Sequence, residues 1–306
     1  MDRREFLKQV SLWSAGMLLT EPVFRITPEL FADVSPNPAL SVIKGKDYTS
    51  LVRTAVESLG GMSQFVKKGD RVVVKPNIGW DRNPAQAANT HPEVVKAVVQ
   101  LALDAGAKEV LVFDRTCNEE RRCYENSGIK PTLDSMKSGQ VSCDFVDMKR
   151  FVPVNIDKGK SIKKWGLYKD AIDADCYINV PVAKNHALAI LTMGLKNVMG
   201  VMGGNRGEIH RKLGDSIADL NTVIRPKLTI IDATRILLKN GPQGGDLKDV
   251  RVLDTVIASS DTVAADAYAT TLFNIKPEEI PSTVAAHELG LGQMNLSKVN
   301  IIEKKI

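Results

Sequence analysis

Short runs of β-branched and aliphatic residues alternate with amphipathic windows along most of this chain. That alternation is the mark of βαβ units built around a mainly parallel sheet. The runs 71–75, 109–113, 141–146, 176–180, 227–231, 255–259 and 298–302 are nearly continuous apolar stretches, as strands covered on both faces are. The spacing predicts its clearest helix over 92–105, where Val94, Val95, Val98, Leu101 and Ala102 recur on one face. Pro92 suits the first turn of that helix and Gly106 its C-terminal cap. Further helices are expected to begin near Thr49, Asp215 and Asp261, the last capped by Asp261 itself. Residues 33–48 read as a leader segment with room for an edge strand at 40–43, and the lysine-rich stretch 147–168 as a hairpin or a lobe boundary. The expected fold is α/β, a mainly parallel sheet with helices on both faces. It is built either as one domain over 33–306 or as two lobes with a site between them.

In parallel sheets of this kind ligands sit beyond the carboxyl ends of the strands. Four such ends carry unusual chemistry: Lys75-Pro76-Asn77, Asp114-Arg115-Thr116, Lys184-Asn185-His186 and Asp232-Ala233-Thr234-Arg235. Each alone has an ordinary structural role as a helix cap, an Asx turn or a solvated loop residue. Their recurrence at equivalent positions favours one polar site. Lys75, Asn77, Lys184, Asn197, Asp232 and Arg235 are therefore expected to bind an anionic substrate.

Three of the four histidines lie in similar places: His91 opens the 92–105 helix, His186 follows the fourth strand and His210 lies beyond a glycine-rich segment. Histidine serves as a metal ligand or as a proton-transfer group near neutral pH, and the sequence leaves both open. His287, beside Glu288 in a helical window, reads as structural. Between His186 and His210 five glycines punctuate an apolar stretch, so Gly200, Gly203 and Gly204 are candidates to cradle an anionic group or cofactor. The stretch matches neither a Walker A loop nor a G-x-G-x-x-G fingerprint. Lys196 within it would be a desolvated amine, suited to act as base, nucleophile or covalent anchor. Asp266, in the helix after Asp261, should have a partner, because unpaired carboxylates are rarely buried. Gly241-Pro242-Gln243-Gly244-Gly245 reads as a tight turn.

The composition, 43% hydrophobic and 25% charged over 306 residues, suits a globular protein with a substantial core. Its 41 basic against 36 acidic residues give +5, but the basic residues are scattered, which argues against nucleic acid as a partner. The four cysteines match no zinc ribbon and no iron–sulfur cluster run, so they stay unassigned. At the N-terminus Asp2-Arg3-Arg4-Glu5-Phe6-Leu7-Lys8 precedes a short apolar run from Val10 to Leu19. This resembles a twin-arginine export signal, expected over 1–32, and the run is too short to anchor in a bilayer. The implied partner is the export machinery, the implied location periplasmic, and the mature chain would have no membrane span. Removing residues 1–32 takes away four basic and four acidic residues and leaves the net charge at +5.

Taken in order, Lys75-Pro76-Asn77, Thr90-His91-Pro92, Lys184-Asn185-His186, Gly194 to Gly200, His210, the Gly241 turn and Asp261 to Ala267 resemble the family called domain of unknown function 362. The match covers nearly all of the chain after the leader. Some members of that family carry an added iron–sulfur module, whose cysteine run is lacking here. More distantly, Asp175 to His210 is similar to the core of the nickel-pincer lactate racemase family, although Met193-Gly194-Leu195 stands where that family has Gly-Gly-Arg. That resemblance implies His186 and His91 as acid/base groups, Lys196 as the covalent anchor of a nickel-pincer-like cofactor and His210 as a metal ligand. The expectation is an exported metal- or cofactor-dependent enzyme acting on a small anionic substrate, by isomerase-like proton transfer or by redox chemistry. The alternative is a non-catalytic metal- or anion-binding or maturation protein serving a redox partner.

Overall fold

A computed structural model describes residues 39–306; the expected export signal at 1–32 lies outside the described residues. The strands are β1 (Ala39–Lys44), β2 (Arg71–Pro76), β3 (Glu109–Val112), β4 (Val141–Cys143), β5 (Phe151–Asn155), β6 (Lys164–Tyr168), β7 (Cys176–Val180), β8 (Val182–His186), β9 (Ile190–Thr192), β10 (Leu228–Leu237), β11 (Val250–Ser259) and β12 (Asn300–Lys305). The helices are α1 (Tyr48–Glu57), α2 (Pro92–Asp104), α3 (Glu120–Asn126), α4 (Ile129–Asp134), α5 (Lys169–Ile172), α6 (Gly194–Asn197), α7 (Leu213–Asn221), α8 (Thr262–Thr270) and α9 (Pro281–Glu288).

Ten strands form one sheet with the order β12-β1-β11-β10-β7-β2-β3-β4, and β8 with β9 branches from β10. Along that order every neighbouring pair is parallel except those made by β11, which runs against both β1 and β10. The α/β architecture expected from the sequence is therefore the one observed. Strand alternation separates the layers. Val72 and Val74 pack against Leu51, Val52, Val94 and Val98 of α1 and α2, whereas Val73 faces Leu195, Ile217 and Ala286 on the opposite side. Ala264, Ala265 and Ala269 of α8 close a third cluster over β10 and β11.

Caps fix the helix starts. Asp47 accepts from the Ser50 N–H at 2.8 Å, His91 Nδ1 from Glu93 N–H at 3.3 Å, and Asp261 from Ala264 N–H at 2.9 Å. All seven expected strands are present, with β10 and β11 extended by polar segments. Residues 147–168 contain the β5–β6 hairpin. The anticipated edge strand at 40–43 is instead interior, between β11 and β12. Among the described residues no helix is long and apolar enough to cross a membrane.

Candidate functional site

The carboxyl ends of β2, β3 and β8 converge on the glycine-rich segment around α6. Together they enclose a cavity of about 580 Å³. Parallel strands deliver their last residues to the same sheet edge, which is why Lys75, Asp114 and Lys184 meet there although far apart in sequence. Lys75, itself 1% exposed, places Nζ 2.8 Å from Asp114 Oδ1 and 3.0 Å from Asn197 Oδ1. Asp114 Oδ2 accepts from the Ile78 N–H at 2.7 Å. Gly200 lies against this pair: a Cβ there would stand 1.8 Å from Asp114 Oδ1 and 2.4 Å from Lys75 Nζ. Lys184, also 1% exposed, donates to Asn77 Oδ1 at 2.9 Å and to the Ala88 carbonyl, with Nζ 5.8 Å from the centre of the Trp80 ring.

Two guanidinium groups line the same space. Arg115 donates to the carbonyls of Met202 and Gly204, and Arg206 to those of Arg115 and Thr116. These partners are neutral. They fix the cations without cancelling them, so Asp114 is the one carboxylate among the lining residues, against five lysine and arginine side chains.

That arrangement sets the protonation states. Burial pushes the Lys184 ammonium down to about 7, with Lys196 and Lys75 repelling it further. Burial likewise brings Lys196 down to about 8, and Arg206 and Lys75 add to the shift. Lys75 is lowered by burial, opposed by Asp114. His186 is pushed down to about 3, first by burial and then by Lys196 and Lys184, so its ring is neutral near pH 7. Its Nδ1 accepts from the Leu188 and Ala189 N–H groups at 3.1 and 3.2 Å, which leaves the ring proton on Nε2.

Of the residues singled out in the sequence, Lys75, Asn77, Lys184, His186, Lys196, Asn197, Gly200, Gly204 and His210 line this cavity. His91, Asp232, Arg235 and Gly203 do not. His91 caps α2 and stacks on Tyr48 with ring centroids 4.2 Å apart, which leaves it a structural histidine instead of an acid/base partner in this cavity. Asp232 is saturated by the N–H groups of His91 and Thr234 and by the Thr234 hydroxyl, and Arg235 donates to the Tyr48 hydroxyl. Gly203 is small because a Cβ would press on the Phe151 ring at 2.8 Å, so its role is packing. Asp266 finds its expected partners in the N–H groups of Gly194 and Leu195, which open α6. His287 Nδ1 stands 2.8 Å from the Gly292 carbonyl, to which it donates when that nitrogen carries the ring proton, as a structural histidine does.

A metal ion held by side chains needs several converging donors. Among the described residues no three His, Cys, Asp or Glu side chains stand together as such a set. His210 is exposed with Nδ1 2.8 Å from the Gly207 carbonyl, so the residues present do not fit the metal expected there. Sequence reasoning missed Trp80, Cys117, Thr192 and Arg206 as lining residues, and it placed Asp114 and Arg115 at a strand end of the site without giving them a role. The strand-end rule that selected Lys75 also brought in Asp114 and Arg115, and both line the cavity. All four cysteines are free; Cys123, Cys143 and Cys176 are buried, whereas Cys117 is exposed with Sγ 3.7 Å from Arg206 Nη2.

A family model described as Domain of unknown function (DUF362) matches residues 72–271. A thylakoid-associated protein of Synechocystis sp. is 32% identical over 273 residues, covering 83% of this chain and 80% of that protein. The lactate racemase apoprotein of Thermoanaerobacterium thermosaccharolyticum aligns with 76% of this chain at 12% identity and a TM-score of 0.47. A crystal structure from Thermotoga maritima aligns with the same share at 10% identity and a TM-score of 0.43. The chain spans 56% and 60% of the lengths of those two solved proteins.

Proposed function

The chain belongs to the domain of unknown function 362 family, and from that premise we propose an enzyme that holds a small carboxylate in the strand-end cavity and moves a proton on it. The observation that carries this reading is the anchoring of the cavity's cations through neutral groups. Lys184, Arg115 and Arg206 are held by an amide oxygen and backbone carbonyls, so their charge stays available to a ligand anion. Only Lys75 is neutralised by a carboxylate, and that ion pair is buried. A charge-assisted bond to a carboxylate is the strongest interaction these side chains can make.

Lys184 near 7 and Lys196 near 8 are matched to proton transfer at neutral pH, where a useful acid or base must populate both forms. Lys184, the amine that loses its proton first, takes the proton and the Lys196 ammonium returns one. His186 keeps its Nε2 proton and donates it as a hydrogen bond to a substrate oxygen, acting as a neutral donor and not as a base. Of the reaction classes open to the chain, isomerase-like chemistry at the carbon beside a carboxylate uses all these groups.

The test is exchange of the C2 proton of small 2-hydroxy and 2-oxo carboxylates in D2O, followed by NMR, alongside calorimetric binding of oxalate. Oxalate affinity should fall as pH rises from 6 to 9, because deprotonation of Lys184 and then Lys196 removes positive charge. Lys196→Met should slow exchange by about 100-fold or more, the usual contribution of a positioned acid or base. Oxalate binding that ignores pH would sink this charge assignment. Binding without any exchange would favour the capture-protein alternative.

A further inference from the structure

Lys196 differs from the other amines of the cavity in what surrounds its nitrogen. Lys75 has Asp114 and Asn197, and Lys184 has Asn77 and the Ala88 carbonyl. Lys196 Nζ has the Met199 thioether at 3.6 Å, a weak acceptor that stabilises an ammonium poorly. Its Nζ has no oxygen partner among the described residues, and the side chain is half-buried, open to the cavity and not sealed beneath it.

The backbone that carries this amine is fastened on both sides. Asp266, itself 2% exposed, accepts from the N–H groups of Gly194 at 2.6 Å and Leu195 at 2.9 Å. Asn197 donates to the Lys75 carbonyl and to Asn179 Oδ1. A fixed, weakly solvated amine is the arrangement a nucleophilic lysine needs. A second feature points to a ligand at the same place. Thr192 is 4% exposed and lines the cavity, yet its Oγ1 has no hydrogen-bond partner. A buried hydroxyl without a partner carries a desolvation cost that a ligand oxygen would relieve.

We propose that Lys196 condenses with the carbonyl carbon of a small 2-oxo acid to form a covalent protonated imine. The inference rests on the carboxylate-binding reading of the cavity and names the class of acid it takes. Arg115 and Arg206 hold the carboxylate; the Thr192 hydroxyl and His186 Nε2 donate to the carbonyl oxygen. The neutral amine's lone pair forms the C–N bond while the carbonyl π pair moves to oxygen. A proton passes from nitrogen to that oxygen, giving a carbinolamine. The oxygen then leaves as water with one further proton taken from the medium, and the nitrogen lone pair closes the C=N bond. One acid and one proton are consumed, one water is released, and no oxidant or reductant is required.

The experiment incubates the whole protein with glyoxylate or pyruvate and sodium cyanoborohydride, then maps the reduced adduct by peptide mass spectrometry. The expected result is one saturable adduct on the peptide carrying Lys196, suppressed by excess oxalate and absent in Lys196→Arg, which keeps the charge and is checked for folding by circular dichroism. An adduct spread over exposed lysines, or undiminished in Lys196→Arg, overturns the proposal. Calorimetry with oxalate on the same preparation separates the two levels. Oxalate binding without trapping overturns imine formation alone, whereas no binding and no trapping overturns the carboxylate-binding reading as well.

Discussion

Gly200 carries no side chain because the Lys75–Asp114 pair fills the space that one would occupy. Gly200→Ala should therefore force the ions apart inside a buried setting and destabilise the protein by about 3 kcal/mol, the scale of breaking a buried pair. Gly204→Ala is the contrasting change. Gly204 has φ +59° with nothing within 4 Å of the place its methyl group would take, so only backbone strain of about 1 kcal/mol applies. Denaturant midpoints of the two variants check the difference. Both glycines stand out in the sequence, but the distinction between them does not, since it depends on a lysine and an aspartate more than 80 residues upstream. The same limit separates Lys75, Lys184 and Lys196, which line the cavity, from Asp232 and Arg235, which do not. All five read as polar residues of one site. Only the register of β8 beside β10 turns Asp232 toward the helix-capping His91 and away from the cavity.

The β8–β9 hairpin is illegible in the sequence for a physical reason. β8 ends in Lys184-Asn185-His186, of which Lys184 and His186 face the cavity and Asn185 accepts from the Gly241 N–H, so the run looks like a loop when read for apolar periodicity. Strands with a site on one side lose the continuous apolar run that betrays β2 and β7. Pairing of Lys184 with Thr192 is what brings the unpartnered hydroxyl beside the amines. The tip of this hairpin holds Ile190 at φ +64°, a conformation in which a β-branched side chain is strained by about 1–3 kcal/mol. Ile190 is 37% exposed and gives up little burial when removed. Ile190→Gly should leave stability unchanged or raise it by up to about 1 kcal/mol as that strain is released. Leu191→Ala, one residue on and buried, should cost about 3 kcal/mol. Urea unfolding of the pair of variants decides whether the tip is strained; a clear loss for Ile190→Gly would show that it is not.

At the scale of the whole molecule, the sheet is assembled from the two ends of the described chain. β1 lies between β11 and β12, with Leu40 paired to Ser259 on one side and Ile301 on the other. Ending the chain at Val299 should bare a hydrogen-bonding edge on β1 and remove the half-buried Ile301 and Ile302, costing at least about 2 kcal/mol. An open edge is also a template for pairing between chains. Size-exclusion chromatography should show more association than for the 306-residue chain, and an unchanged elution volume with full stability would refute it. The alternation of runs and helices announces the parallel body of this sheet correctly. The interior position of β1 stays hidden because pairing across more than 200 residues leaves no local mark. During synthesis, the strand that emerges first among those described must wait for the one that emerges last. A chain arrested before β12 is therefore left with the first described strand unsealed, an open edge that quality control can read.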